Sequence, residues 1–533
     1  MGYAQILDCT LRDGGYLIDK YFGNKNIYGI IDGLIKTGIE IIEIGFLQNE
    51  GTGEGKTVYQ NSIDAEKFIP KTGKNGIFSV FADYSRYDIA KLDKYTGKSF
   101  HAVRECFLKK EWKEAINYCR EIKDKGYLLF VQPVDILGYS DLELIELLES
   151  VNAVEPYCFS IVDTFGSMYE EDLYRICSLV DHNLVPGCKI GFHSHNNLQM
   201  SSALAQAFLR FAYGKREVIV DATISGMGRG AGNTPTELIA QYMVDKLKYP
   251  YNLDCLLDII DNYMRNIRSR AEWGYNTQMY LAGAYGAHVN NVSYLLKKNS
   301  INSKDIRFIL NQIGTEKRKR YDYSLLEDTY IQYMETDIDD TKSMSDLRRL
   351  INGRCVVVLA AGRSLSAERE NIIKYIESKE SLVISVNNMY DNIPADFIYI
   401  SNVKRYQSWN KKCHEGIPCI FTSNIKKEAE ENEFIISFKR LIKCGWENMD
   451  NSAILLLRLL NMLGAECIGV AGLDGYGYNN NYADDQMEYN VTLNEAIVIN
   501  RELREMLQDF MAAKSGDVKV EFITKSRFED IMQ

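Results

Sequence analysis

The chain has 533 residues, 46% of them hydrophobic and 25% charged, with a formal net charge of −11 at pH 7. This length sets an expectation of about three structural units, and the composition excludes disordered and collagen-like classes. The acidic balance excludes a broad binder of nucleic-acid backbone, so no nucleic-acid partner is expected.

In chain order, apolar, β-branched runs recur at residues 5–10, 40–46, 77–83, 102–108, 128–135, 158–164, 189–196 and 217–224, separated by amphipathic helical stretches. Several runs are apolar on both faces, as a parallel sheet covered by helices requires. Eight strand–helix units in this length predict a TIM barrel over residues 1–255. Residues 256–336 read as a helical extension of the barrel, and the polar segment 337–353 reads as a linker. Strands return at 355–361, 382–387, 396–401, 419–422, 434–438, 467–472 and 518–524, so residues 354–533 read as a Rossmann-like, doubly wound α/β domain. The most apolar run, 453–463, is short and is interrupted by Arg458 and Asn461, so no membrane span is expected. The first residues lack a basic stretch followed by an apolar core, and none of the twelve cysteines forms a Cys-x-x-Cys pair. A cytoplasmic protein with reduced thiols is the simplest expectation.

Chemistry concentrates at two strand ends of the barrel. Asp8-Cys9-Thr10-Leu11-Arg12-Asp13-Gly14-Gly15-Tyr16 follows the first strand, and His193-Ser194-His195-Asn196 ends the seventh. Side chains two apart on a strand share a face, so His193 and His195 converge, and strand ends on this side of a barrel are where active sites sit. Two imidazoles and a carboxylate meeting there suit a divalent metal with open positions. A His-x-His in a strand is more often core than ligand. An Arg-Asp pair followed by glycines makes a poor core, however, and favours the metal.

These motifs, with the loop Gly226-Met227-Gly228-Arg229-Gly230-Ala231-Gly232-Asn233, resemble the DRE-TIM metallolyase family, and most of all its 4-hydroxy-2-oxovalerate aldolases, over roughly residues 3–330. The resemblance implies metal ligation by Asp13, His193, His195 and Asn233, with Mn²⁺ or Mg²⁺ as the ion. It implies catalysis by Arg12, and substrate binding by Thr164 and Arg104. A 2-oxo acid chelates a metal through its carboxylate and keto oxygens, and the metal and the arginine stabilise the enolate that forms beside the ketone. The departure is Tyr16, where the aldolases carry a histidine base. A tyrosine acts as a base at neutral pH only if nearby cations depress its pKa, so Tyr16 and Tyr285 both stand as candidate catalytic residues and the base is open.

In the second domain, a strand, the glycine turn Ala360-Ala361-Gly362-Arg363-Ser364 and a helix resemble the nucleotide-binding fold of bacterial CMP-sialic acid transferases. The resemblance implies nucleotide contacts from Gly362, Ser364, Asn387, Ser452 and Asp474. The transferases' histidine base has no counterpart in residues 478–489, so nucleotide or nucleotide-sugar binding is the expectation rather than glycosyl transfer. The leading expectation is a metal-dependent aldolase that joins a 2-oxo acid such as pyruvate to an aldehyde, as a homo-oligomer and with a link to surface-sugar biosynthesis. The alternatives are an acyl-CoA Claisen synthase of the same family, and a nucleotide-sugar-binding or glycosyltransferase protein with a scaffold barrel.

Overall fold

A computed structural model describes residues 3–70, 76–334, 338–390, 392–408, 416–485 and 491–531. They divide into two compact units. The first runs up to Val289 and includes Arg318–Arg320; the second holds Asn290–Lys317 and everything from Tyr321 on.

The first unit is a closed barrel of eight parallel strands: β1 (Ala4–Asp8), β2 (Ile41–Leu47), β3 (Ile77–Asp83), β4 (Ala102–Phe107), β5 (Leu128–Pro133), β6 (Cys158–Asp163), β7 (Lys189–Ser194) and β8 (Val218–Ala222). Closure is made by β1, which pairs with β8 on one side and with β2 on the other. Every residue of β2 is buried, because the sheet faces helices outside and packed side chains inside. Strand alternation sorts the residues. Leu7, Ile41, Ala102, Phe130, Cys158 and Ile219 form an apolar floor inside the barrel. Two residues further along β2, β4 and β8, Glu43, Arg104 and Asp221 share that inward face, where they meet His193 of β7. The helices start where their sequences cap them. Ser140 accepts from the Glu143 N–H while Glu143 accepts from that of Ser140, which opens helix Asp141–Asn152.

Glu105, next to Arg104 on β4, points the other way. It sits beside Tyr118 and Cys119 of helix Trp112–Asp124 with both carboxyl oxygens buried and without a hydrogen bond. The nearby Tyr84 N–H is spent on the Cys106 carbonyl at 3.0 Å. Burial holds the Glu105 carboxyl well above its ordinary pKa. A folded-state pKa above the unfolded one gives stability that is complete below the ordinary carboxyl range and is lost as pH rises. The expected slope is about 1.4 kcal/mol per pH unit across that window. Glu105→Gln should therefore flatten the pH dependence of the urea midpoint from the ordinary carboxyl range upward; a profile parallel to the wild type would contradict this.

The second unit is a seven-stranded, all-parallel sheet in the order β13-β12-β11-β10-β9-β14-β15. Its strands are β9 (Cys355–Leu359), β10 (Leu382–Val386), β11 (Phe397–Ile400), β12 (Cys419–Thr422), β13 (Glu433–Ile436), β14 (Cys467–Ala471) and β15 (Lys519–Phe522). The strand order reverses between β9 and β14, which is the switch point of a Rossmann-like sheet.

Three expectations change. The segment expected to be a linker, 337–353, contains helix Thr341–Ile351, whose Leu347 and Ile351 are fully buried (residue 337 lies outside the described residues). Asp340 accepts from the Ser437 N–H and pairs with Arg440, so this segment is built into the second unit. The helical region 256–336 is divided between the units rather than belonging wholly to the barrel. Not all thiols are reduced: the parallel register sets Cys355 opposite Cys467, 4.5 Å apart at Cα, and the two form a disulfide.

Candidate metal centre and active site

Asp8 ends β1, and the chain turns at once into the short helix Thr10–Asp13, which carries Arg12 and Asp13 over the barrel mouth. Asp8 anchors this turn by accepting from the Thr10 N–H (3.0 Å) and the Thr236 hydroxyl (2.6 Å). Its burial raises its pKa to about 6. His193 and His195 reach the same point from β7. Asp13 Oδ2 lies 3.3 Å from His193 Nε2 and 3.9 Å from His195 Nε2. The three ligand atoms all fall within 4.8 Å of one another, and all three residues are buried.

Asn233 completes the set. Its backbone bridges His195, and its Oδ1 is buried with no hydrogen-bond partner. A buried amide oxygen without a donor is costly, and a cation is the partner that removes the cost. Burial first, against the pull of Asp13, lowers the His195 pKa to about 3, leaving a neutral imidazole with a lone pair to donate. One carboxylate, two imidazoles and an amide oxygen suit a divalent metal ion. A second metal-like grouping, Cys9 with His193 and Asp221, is spent internally: the Cys9 thiol donates to the Ala222 carbonyl at 3.4 Å and Asp221 pairs with Arg104.

Below the centre the charges close on themselves. Arg12 donates to Asp13 (3.1 Å) and to Glu43 (2.7 Å), and Arg104 donates to the same Glu43 oxygen (2.9 Å) and to Asp221. Asp221 accepts from His193 Nδ1 (3.0 Å), and His193 Nε2 faces Asp13, completing a ring of six groups of alternating sign. Burial alone disfavours the charges of Arg12 and Asp13, and the neighbours win. Arg12 keeps its proton well above the ordinary range, and Asp13 lies well below the carboxylate range. By accepting from Nδ1, Asp221 orients the His193 ring so that Nε2 faces Asp13 and the metal position.

The structure brings Arg12, Asp13, His193 and His195 together, and Asn233 is bridged through its backbone to His195. It places Arg104 elsewhere than substrate contact: its side chain is fully buried between Glu43 and Asp221, so it supports the site from beneath. Thr164 follows β6, and its hydroxyl accepts from the Asp135 N–H (2.8 Å). That loop is fixed by Asp163, which accepts from the N–H groups of Ser167 and Met168. Tyr16 packs edge-on against Phe46 at 5.1 Å, beneath the guanidinium of Arg229. Burial outweighs both Arg229 and Arg12, so its pKa rises, and Tyr16 is a hydrogen-bond donor at neutral pH rather than a base. Tyr285 lies at the C-terminal end of helix Thr277–Ala284, under the guanidinium of Arg318. That helix packs on the mouth: a Cβ at Gly283 would meet Asn197 at 2.9 Å and the Gly166 carbonyl at 3.2 Å.

Sequence reasoning missed Glu43, Asp221, Asn197 and Arg229. The first two carried a readable signal, because each interrupts an apolar strand at an inward-facing position. Asn197 ties three loops together, donating to the Phe165 carbonyl and accepting from the Ala231 N–H.

In the second unit, Gly362, Asn387, Ser452 and Asp474 line one cavity of about 520 Å³ at the switch point. Ser364 does not line it: its N–H and hydroxyl are spent on Asp474, holding that carboxylate in place.

The family model described as HMGL-like matches residues 88–261. A 4-hydroxy-2-oxovalerate aldolase of Carboxydothermus hydrogenoformans is 26% identical over 325 residues, 58% of this chain and 92% of its own length. One from Desulfitobacterium hafniense is 27% identical over 59% of this chain and 93% of its own length. Among solved structures, the N-terminal domain of a candidate aldolase from Bacteroides vulgatus is 22% identical with a TM-score of 0.48, covering 55% of this chain and 96% of that one. Barrel, motifs and relatives agree: the N-terminal part of the chain is an HMGL-like domain, with 4-hydroxy-2-oxovalerate aldolases among its homologues.

Proposed function

We propose that the barrel is a divalent-metal-dependent aldolase acting on pyruvate or another 2-oxo acid and an aldehyde. The observation that carries this is the convergence of Asp13, His193 and His195 on one point, with the unspent Asn233 oxygen on a backbone bridged to His195 and the buried, permanently charged Arg12 beside Asp13. The metal, Mn²⁺ or Mg²⁺, would be held by those four residues and would supply Lewis acidity toward a ketone and its enolate. Arg12 holds a fixed positive charge where the enolate oxygen develops, and its two carboxylate partners keep the guanidinium from swinging away. Tyr16 donates a hydrogen bond to substrate. The Thr164 hydroxyl still has its own proton to offer to the 2-oxo acid carboxylate.

The test needs no knowledge of the aldehyde. The methyl protons of pyruvate should exchange in D₂O with added Mn²⁺, followed by NMR, and EDTA should stop the exchange. Exchange that survives EDTA together with His193→Ala or His195→Ala would overturn the reading.

The second unit supports a separate reading, as a binding site for a nucleotide or nucleotide-sugar, which would tie the aldolase to surface-sugar chemistry. The cavity at its switch point is lined by Gly362 and by several asparagines, including Asn299, Asn402, Asn448 and Asn451, which offer donors and acceptors without net charge. Asn387 contributes a buried Oδ1 with no hydrogen-bond partner, aimed from a residue held at φ +60. Lys297 and Arg405 supply positive charge at the same wall. Calorimetric titration with CMP, CDP and UDP tests it, and no binding of any of the three would defeat it.

A further inference from the structure

The loop after β8 carries one charged side chain, Arg229, and its setting is specific. Gly228 and Gly230 flank it where no larger residue fits: a Cβ at Gly228 would meet Asn233 Nδ2 at 2.3 Å, and one at Gly230 would meet Asn197 Oδ1 at 2.4 Å. The loop is therefore pressed against Asn233 and Asn197, and the Ala231 N–H is bonded to Asn197 at 2.7 Å. This leaves Arg229 standing up at the mouth. Its guanidinium lies 4.6 Å above the ring centroid of Tyr16, and its Nε is 4.0 Å from Asp13 Oδ1, an ion pair too long to be a hydrogen bond. The side chain is 49% exposed, against 3% for Arg12. Among the described residues its Nη atoms have no hydrogen-bond partner.

We propose that Arg229 is a specificity-determining residue that receives a terminal carboxylate on the part of the substrate pointing away from the metal, so that the aldehyde partner is an anionic one. The inference rests on the aldolase reading for which end of the substrate faces outward. A 2-oxo acid's own carboxylate is met at the metal, and Arg12, fixed by Asp13 and Glu43, serves the enolate oxygen there rather than the far end. What reaches the mouth is the far end of the bound molecule, and there Arg229 offers, among the described residues, the one guanidinium that stands both beside Asp13 and half in solvent. Stacking on Tyr16 fixes the plane of the guanidinium while leaving its N–H edges outward, the geometry that grips a planar carboxylate with two parallel bonds. The same stacking gives Tyr16 a task that its raised pKa permits: it is the platform for Arg229 rather than a base.

The experiment is calorimetric titration of the Mn²⁺-loaded protein with 2-oxoadipate and with 2-oxohexanoate, which has the same chain without the distal carboxylate. The wild type should bind the dianion more tightly by roughly ten- to hundredfold. Arg229→Ala should bring the ratio near one, and Arg229→Lys should give an intermediate ratio because it keeps the charge and loses the fork. A ratio near one in the wild type, or a ratio kept in Arg229→Ala, overturns the proposal. Failure of both compounds to bind overturns it together with the aldolase reading. A proper ratio without pyruvate methyl exchange leaves the carboxylate site standing and removes the aldolase chemistry alone.

Discussion

Arg12→Ala is expected to slow Mn²⁺-dependent exchange of the pyruvate methyl protons by about 10²- to 10³-fold, the loss that follows removal of one preorganised charge at a developing oxyanion. The argument rests on how the guanidinium is held. Its Nε and one Nη are fixed by Glu43 and Asp13, and its face lies on the Phe81 ring at 4.6 Å, so no reorganisation is needed as charge builds on the substrate. Arg12→Lys should recover only part of the rate, since one ammonium cannot hold Glu43, Asp13 and substrate together. Metal affinity separates this role from ligation. Arg12→Ala removes a cation that competes for Asp13, so Mn²⁺ binding should not weaken, whereas His193→Ala should lose Mn²⁺ and exchange together. Mn²⁺ binding lost in Arg12→Ala would place the residue in the scaffold of the metal site instead.

Much of this site was legible because strand alternation is strict. His193 and His195, two apart, had to share a face, and the same rule put Glu43, Arg104 and Asp221 over the apolar floor. All eight barrel strands and all seven of the second sheet stand where the apolar runs predicted. What alternation does not report is the third dimension of a side chain's partners. Arg104 was expected to bind substrate, yet its depth between two carboxylates depends on strands far apart in sequence. Whether Tyr16 could serve as a base stayed open in the sequence, because how deeply its ring is buried decides the sign of its pKa shift, and its ring packs against Phe46 and under Arg229. The disulfide was hidden for the same reason: Cys355 and Cys467 are 112 residues apart and meet only because β9 and β14 pair in register. The segment 337–353 looked like a linker because it is polar. Its helix buries only Leu347 and Ile351, a stripe too narrow to outweigh the charged residues around it.

The closed ring makes a second large effect expected, this time on stability. Arg104→Met should destabilise the protein by about 3–5 kcal/mol, because it removes one cation and leaves Glu43 and Asp221 buried and short of a partner. Urea midpoints for the wild type and the variant would measure it. The pH dependence carries the sign. Arg104 is the first neighbour holding the Asp221 pKa down against burial, so in the wild type that contribution is complete above the ordinary carboxylate range near about 4 and is lost only as pH falls below it. Without Arg104, burial dominates and the Asp221 pKa climbs, so the variant should lose stability as pH rises where the wild type does not. The deficit should shrink in mild acid, once the stranded carboxylates take up protons. A replacement that removes a partner too, Arg104→Met with Glu43→Gln, should recover part of the loss, since an uncompensated buried charge costs more than a neutral pair. A single substitution that costs less than about 1 kcal/mol would mean that water reaches Glu43 and Asp221, and the ring could not then hold Arg12 rigid at the mouth of the barrel.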